Sequence, residues 1–225
     1  MALQTGSFAE DYSEIWGDDY AHAMQFARDN CEDMTAIANR YGHSGEEALA
    51  VVFPELLRYS MVSDFLETAV VETGYVRYGR GYGDFSIGRF QMKPSFVEKL
   101  EEKVCNTPEL EKFIPLFSYE GRDEISVRSE RVQRLKQTSF QIQYLICFIS
   151  VAEAHYERLS CMDEKERIRF LATAYNAGWE HSEERIIKLS RRKTFPWGPS
   201  FGGRQYSYAD ISEDFYNRIL FKPKK

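Results

Sequence analysis

Apolar residues along much of this chain recur at three- and four-residue intervals, the spacing that places them on one face of a helix. Over residues 11–42, Tyr20, Met24, Phe26, Ala27, Met34, Ile37, Ala38 and Tyr41 follow that spacing and predict one or two helices. Gly42 supplies a stop. Ser44 offers a fresh N-cap, with Glu46 and Glu47 in the first turn, where carboxylates suit the positive end of the helix dipole. The next run, Ala48–Val52, is continuously apolar and leads into Phe53-Pro54-Glu55, where Pro54 either kinks the helix or opens a new one. From Leu56 to Val71 the helical spacing resumes through Leu57, Met61, Phe65, Leu66, Ala69 and Val70.

The segment Gly74–Phe90 breaks the pattern. It holds five glycines among Tyr and Phe and predicts a loop or short hairpin. Residues 95–105 return to an amphipathic helix with Phe96, Val97, Leu100 and Val104 on its apolar side. The stretch 106–130 reads as irregular and polar, punctuated by Pro108, Pro115 and Gly121. Val132–Tyr156 is the most apolar segment and predicts a buried central helix; helices over 164–175 and 210–220 flank a Pro/Gly/aromatic loop at 194–206. The pattern as a whole predicts a mainly α fold in which two Gly-rich aromatic loops interrupt a helical frame.

Composition sharpens this picture by exclusion. With 16 Phe and 14 Tyr in 225 residues there is enough apolar material for a core, which excludes general disorder. Lys plus Arg number 29 against 35 Asp plus Glu, a net charge of −6, so a general nucleic-acid binder is not expected. No run approaches the ~20 apolar residues of a membrane span. Cys31, Cys105, Cys147 and Cys161 lack the paired short spacing of a zinc site, and Cys147 reads as a small core residue; disulfides stay open. The polar stretch Met1–Glu14 shows no signal peptide.

Three carboxylates invite attention. Glu55 follows five apolar residues and a proline, an edge-of-core setting that disfavours a charged carboxylate and suits a general acid; its competing reading is a structural partner of Arg58. Glu72, after Ala69-Val70-Val71, raises the same question. Asp84, in Gly83-Asp84-Phe85-Ser86, has the form of a turn-former that bonds its own backbone.

Two motifs bear on these carboxylates. Ser86-Ile87-Gly88-Arg89-Phe90-Gln91-Met92-Lys93-Pro94 and, later, Leu171-Ala172-Thr173-Ala174-Tyr175-Asn176-Ala177-Gly178-Trp179 together resemble the lytic transglycosylase family and its goose-type lysozyme relatives. That family carries a small residue before Gly-x-x-Gln-x-x-Pro and, downstream, a helix ending in Ala-Tyr-Asn-Ala-Gly. Phe90 stands where the family usually has Met. Upstream, Tyr41-Gly42, a polar turn and Leu49-Ala50-Val51-Val52-Phe53-Pro54-Glu55 are similar to the family's cassette that ends in the catalytic Glu, with Leu56 in the position of its usual Ser. Phe-Pro-Glu and Asp-Phe-Ser-Ile-Gly-x-Phe-Gln-Met-Lys-Pro also look like a transglycosylase-like group of Bacteroidetes type.

The resemblance implies a lysozyme-like helical domain over 35–225, preceded by an N-terminal helical extension over 1–34, with the Gly/aromatic loops or a small hairpin lining a groove. It implies cleavage of the β-1,4 bond between N-acetylmuramic acid and N-acetylglucosamine in peptidoglycan, with 1,6-anhydro ends as product. A hydrolytic muramidase and an inactive peptidoglycan-binding module are the alternatives. The acid is Glu55 by its cassette or Glu72 by its nearness to Gln91, and Asp84 is a possible second carboxylate. Ser86, Gln91, Tyr175, Asn176 and Tyr206 are implied as substrate-binding residues, with Tyr75, Tyr78, Tyr82, Phe85 and Trp197 as candidate stacking or capping rings. No cofactor or metal is implied. Peptidoglycan as partner implies a periplasmic or otherwise extracytoplasmic location.

Overall fold

The computed structural model describes residues 10–61, 74–197, 201 and 203–220, and over these the protein is mainly helical. The first helical stretch is two helices, α1 (Tyr12–Asp29) and α2 (Cys31–Tyr41), joined at Asn30. Asp11 starts α1 by accepting the Ser13 N–H at 3.0 Å. Gly42, at φ +83°, ends α2 in the left-handed region that favours glycine. Ser44 then caps α3 (Gly45–Met61) through the Glu47 N–H at 3.2 Å.

Pro54 neither ends α3 nor opens a new helix. Every residue from Ala48 to Leu57 is buried, so α3 is enclosed on all sides by α1, α2 and two later helices. Tertiary packing of that extent offsets the backbone hydrogen bond that proline removes. The run of helical spacing expected to continue to Val71 is observed as far as Met61; its remainder lies outside the described residues.

The expectation for 106–130 needs correction. Pro108–Phe117 forms a 3-10 helix that buries Leu110, Phe113, Leu116 and Phe117, and α5 (Glu124–Leu135) begins well before the apolar run. The glycine-rich segment also differs from the expected loop at its start, where residues 74–78 are helical before the chain turns irregular at Gly79; after it comes the expected helix, α4 (Pro94–Cys105). Helix α5 escaped the pattern because much of its inner face is charged. Arg131, 4% exposed, pairs with Glu98 of α4 at 3.1 Å and Glu101 at 2.8 Å, and bonds the Tyr75 hydroxyl at 2.6 Å. A buried ion network replaces the apolar stripe by which helices are usually recognised.

The predicted central helix is likewise divided. Its core, α6 (Thr138–His155), is buried almost continuously from Gln141 to Ala152, while Val132 and Leu135 belong to α5. The break at Lys136–Gln137 carries neither Gly nor Pro; the Leu135 carbonyl freed there is taken by the Gln141 side-chain amide at 2.5 Å. Next come α7 (Glu164–Ala177), the unpredicted short helix α8 (Glu183–Leu189), and α9 (Tyr208–Leu220). The Pro/Gly loop opens and closes on a small antiparallel pair, β1 (Lys193–Phe195) and β2 (Tyr206–Ser207).

One hydrophobic cluster runs through the described chain, and α1 belongs to it through Tyr12, Tyr20, Ala23, Met24 and Ala27. Helix α3 packs against α1, α2, α7 and α9, and α6 against α2, α4, α5 and α7. Arg167 of α7 ties the two central helices together, bonding Glu47 of α3 at 2.6 Å and Glu153 of α6 at 2.6 Å. Cys147 is buried in α6, as its sequence context implied; all four cysteines are free thiols. Among the described residues no helix is long and apolar enough to cross a membrane.

His43 sits in this clamp, 8% exposed, with Nε2 2.6 Å from the Ser150 hydroxyl and Nδ1 3.7 Å from Glu153. Burial holds its pKa below 6.5, outweighing the opposing pull of Glu153 and Glu47; Lys112 and Arg167 push the same way as burial. The unfolded chain therefore takes up the proton first, so stability is full above about pH 6.5 and falls as the pH drops below it. Thermal unfolding followed from pH 7.5 to about 5.5 should show a decreasing Tm. His43→Gln should flatten that slope without abolishing it, because His155 is also depressed by burial and contributes with the same sign.

Candidate active site

Glu55 projects from the middle of α3, 5% exposed, onto the floor of a cleft of about 570 Å³. Lining the same cleft are Arg58, one turn further along α3, and Asp84, Ser86 and Gln91 from the Gly-rich loop. Tyr175 and Asn176 at the end of α7 complete the wall, with Trp197 at the rim. Four segments far apart in sequence are thus brought to one depression.

The loop from Ile87 to Met92 is a tight hairpin. Ile87 and Met92 exchange backbone hydrogen bonds of 2.9 and 3.2 Å. At its turn Gly88 has φ +69°, and Gln91, unusually for a residue with a side chain, has φ +50°. Gln91 is held there by its own backbone N–H and its side-chain amide, both donating to the Gly88 carbonyl, at 3.1 and 2.9 Å. A strained backbone at a cleft wall is the usual mark of a side chain that must point one way.

Beneath the hairpin lies Gln141 of α6, 1% exposed. Its carbonyl accepts the Phe90 N–H at 3.0 Å, and its amide donates to the carbonyls of Ile87 at 3.1 Å and Leu135 at 2.5 Å. A Cβ on Gly88 would stand 1.8 Å from the Gln141 amide nitrogen, so glycine is needed there both for its backbone angle and for the space. From the other side the Tyr175 hydroxyl donates to the Phe90 carbonyl at 2.6 Å, while Arg89 lies over the Tyr59 ring of α3 at 4.3 Å. The hairpin is thus fixed to α3, α6 and α7 at once.

Asp84 has a different partner from the one its sequence suggested. Its two oxygens accept the Ser95 N–H at 3.0 Å and the Ser95 hydroxyl at 2.5 Å, capping the start of α4 where Lys93 provides no side-chain cap. Ser86 lines the cleft and Asn176 is an exposed part of its wall. Tyr206 is not among the lining residues: it is buried against Tyr12 and Trp16 of α1, with ring centroids 5.9 and 5.0 Å away. Tyr75 is fully buried and bonded to Glu98 and Arg131, so it belongs to the core. Phe85 and Trp197 line the cleft, 44% and 71% exposed. Glu72 lies outside the described residues.

Tyr208, at the first turn of α9, is the side chain that the sequence reading passed over in favour of Tyr206. It is buried, and its phenol is pushed well above its ordinary pKa by burial first and by the Glu55 carboxylate next. Tyr175 is raised for the same two reasons in the same order. Two buried phenols thus stand beside the Glu55 carboxyl, with Arg58 of the same cleft one turn along α3. The Tyr-Ser-Tyr alternation was visible, but which ring meets Glu55 depends on how β2 passes into α9. Gln141 carried no local signal, because a lone Gln in an apolar helix reads as a flaw in the pattern. Met92, Lys93 and Phe96 also line the cleft. Gly178 ends α7 at φ +102° and ψ +121°, its N–H donating to the Ala174 carbonyl.

Among the described residues no three His, Cys, Asp or Glu side chains gather as a metal site. Comparison with family models, with curated proteins and with solved structures returned no match.

The hairpin makes a quantitative claim. Gly88→Ala should cost about 3 kcal/mol from backbone strain and broken Gln141 bonds, a fall of roughly 10 °C in Tm. In a Gln141→Ala background the clash with the amide is gone, though the Leu135 carbonyl stays 3.0 Å from the added Cβ, and the same substitution should cost at least about 1 kcal/mol less, a non-additivity that a double-mutant cycle of Tm or denaturant midpoints measures.

Proposed function

We propose that this protein is a lytic transglycosylase acting on peptidoglycan, built on a lysozyme-like helical domain, with Glu55 as its single acid/base. The observation that carries the reading is the convergence on one cleft of Glu55, Ser86 with Gln91, and Tyr175 with Asn176, the residues of three separate family-like motifs. Support also comes from the surroundings of Glu55: its carboxyl is buried on α3 beside the phenols of Tyr175 and Tyr208, with Arg58 of the same cleft one turn on, and burial disfavours the charged form that a general acid must avoid.

In this reaction Glu55, protonated, donates to the glycosidic oxygen between N-acetylmuramic acid and N-acetylglucosamine as the bond breaks toward an oxocarbenium-like state. The resulting Glu55 carboxylate takes the proton from the C6 hydroxyl of the muramoyl sugar. That oxygen attacks C1, closing the 1,6-anhydro ring and returning Glu55 to its starting form. No water enters the products, so no second carboxylate is required. Gln91 and Asn176 would hydrogen-bond sugar substituents. Tyr175, its proton committed to the Phe90 carbonyl, acts by keeping the hairpin and the acid in register. Asp84, with both oxygens on Ser95, serves the loop's shape in this reading. Peptidoglycan as substrate places the protein outside the cytoplasm.

Purified protein incubated with peptidoglycan sacculi should release 1,6-anhydro muropeptides, identified by mass spectrometry. Reducing muramic ends would instead mean hydrolysis, and binding without soluble product would mean an idle glycan-binding module. Glu55→Gln should lower the rate by roughly 10²–10⁴-fold or more, since an amide cannot donate the proton. Glu72→Gln should cleave at close to the wild-type rate; the opposite pair of results would make Glu72 the acid.

A further inference from the structure

Three isoleucines scattered over α1, the 3-10 helix and α5 aside, the large apolar side chains more than a third exposed among the described residues are Tyr78, Tyr82, Phe85 and Trp197. All four are aromatic. Phe85 and Trp197 line the cleft. Tyr78 and Tyr82, 65% and 60% exposed, stand outside it as a pair with ring centroids 5.5 Å apart and planes tilted by 53°. Tyr82 precedes Phe85 by three residues, a reach of at most ~11 Å, so the pair adjoins the cleft wall along the chain.

The backbone that presents these rings is tied down from below. The Gly79 N–H donates to the Tyr75 carbonyl at 2.7 Å, and Tyr75 itself is buried and bonded to Glu98 and Arg131. Arg128 donates to the Val76 carbonyl at 3.0 Å. Arg80 bridges Glu98 and Glu102, the latter at 2.6 Å. A segment anchored by three arginines at its base, yet leaving two phenol rings in water at its tip, is pre-organised for a partner, because little ordering remains to be done on binding. Exposed apolar patches of this kind mark binding surfaces. Two exposed phenol rings offer flat faces with polar edges, which suit the C–H faces of pyranose rings.

We propose that Tyr78 and Tyr82 form an aromatic platform outside the cleft that stacks on the sugar rings of a glycan strand as it emerges past Phe85. The inference rests on the reading of the cleft as a glycan site and extends it to long chains. The platform adds affinity for chain length and takes no part in bond cleavage. A preference for long strands over short fragments follows.

The test uses the full chain carrying Glu55→Gln, so that nothing is cleaved, and calorimetric titration with the di-, tetra- and hexasaccharides of β-1,4-linked N-acetylglucosamine. The hexasaccharide should bind about tenfold more tightly than the disaccharide, the scale expected for added aromatic stacking. Adding Tyr78→Ala and Tyr82→Ala should erase that gain and leave disaccharide binding unchanged. Tyr78→Phe with Tyr82→Phe, which keeps the ring faces, should retain it. If all three sugars bind equally well and the alanine pair changes nothing, the platform is disproved while the cleft reading stands. An equal loss for every length also disproves it, since the rings would then belong to the cleft. If no oligomer binds to either protein, both the platform and the cleft reading fall.

Discussion

A single buried amide organises the cleft. Gln141 reaches from the central helix α6 and satisfies three backbone groups, one from the end of α5 and two from the hairpin 87–92. In the interior such groups cannot be left unpaired without a cost of about 1–3 kcal/mol each, so the position of the hairpin is set by the need to meet them. Everything that faces the cleft from this side depends on that constraint. Gly88 must be glycine because the amide lies where a Cβ would go. Gln91 accepts a left-handed backbone because the turn around Gly88 leaves no other path. Tyr175 completes the arrangement by binding the remaining Phe90 carbonyl from α7.

Charge plays the corresponding part further out. Among the described residues, arginine-centred ion networks join elements to one another. Arg131 holds α5 to α4, Arg167 holds α7 to both central helices, and Arg80 and Arg128 anchor the segment before the hairpin. Arginine suits this work because its planar fork can meet two or three acceptors at fixed angles. Glu55 and Tyr175 line the cleft apart from these networks, with Tyr208 buried behind Glu55 and Arg58 one turn along α3.

How legible this was depended on the kind of interaction. Helices that bury a regular apolar stripe, such as α2, α4 and α7, and stops such as Gly42, stood out by spacing and turn chemistry. Helix α5 did not, since Arg131 faces inward where an apolar residue is expected. The break between α5 and α6 was hidden too, because its signal is the long-range bond from Gln141 to Leu135 and not a local Gly or Pro. At the site, Glu55, Ser86, Gln91, Tyr175 and Asn176 were found through motifs, and all of them line the cleft. Tyr206 and Tyr208 were indistinguishable by type and spacing, and Asp84 looked like a local turn when its partner is Ser95, eleven residues on.

By itself the sequence determined a mainly α chain with an apolar core, the chemically able side chains, and the glycine-rich stretch from Gly79 where helix gives way to turns. Those are properties of local periodicity, composition and backbone freedom, and they need no knowledge of what lies nearby in space. The tertiary structure decided that Tyr208 and not Tyr206 neighbours Glu55, that Asp84 caps α4, and that Tyr75 is core while Tyr78 and Tyr82 face water. Each of those outcomes is set by contacts between residues distant along the chain, and a buried polar group chooses its partner by geometry in the folded state, which residue type and spacing do not encode.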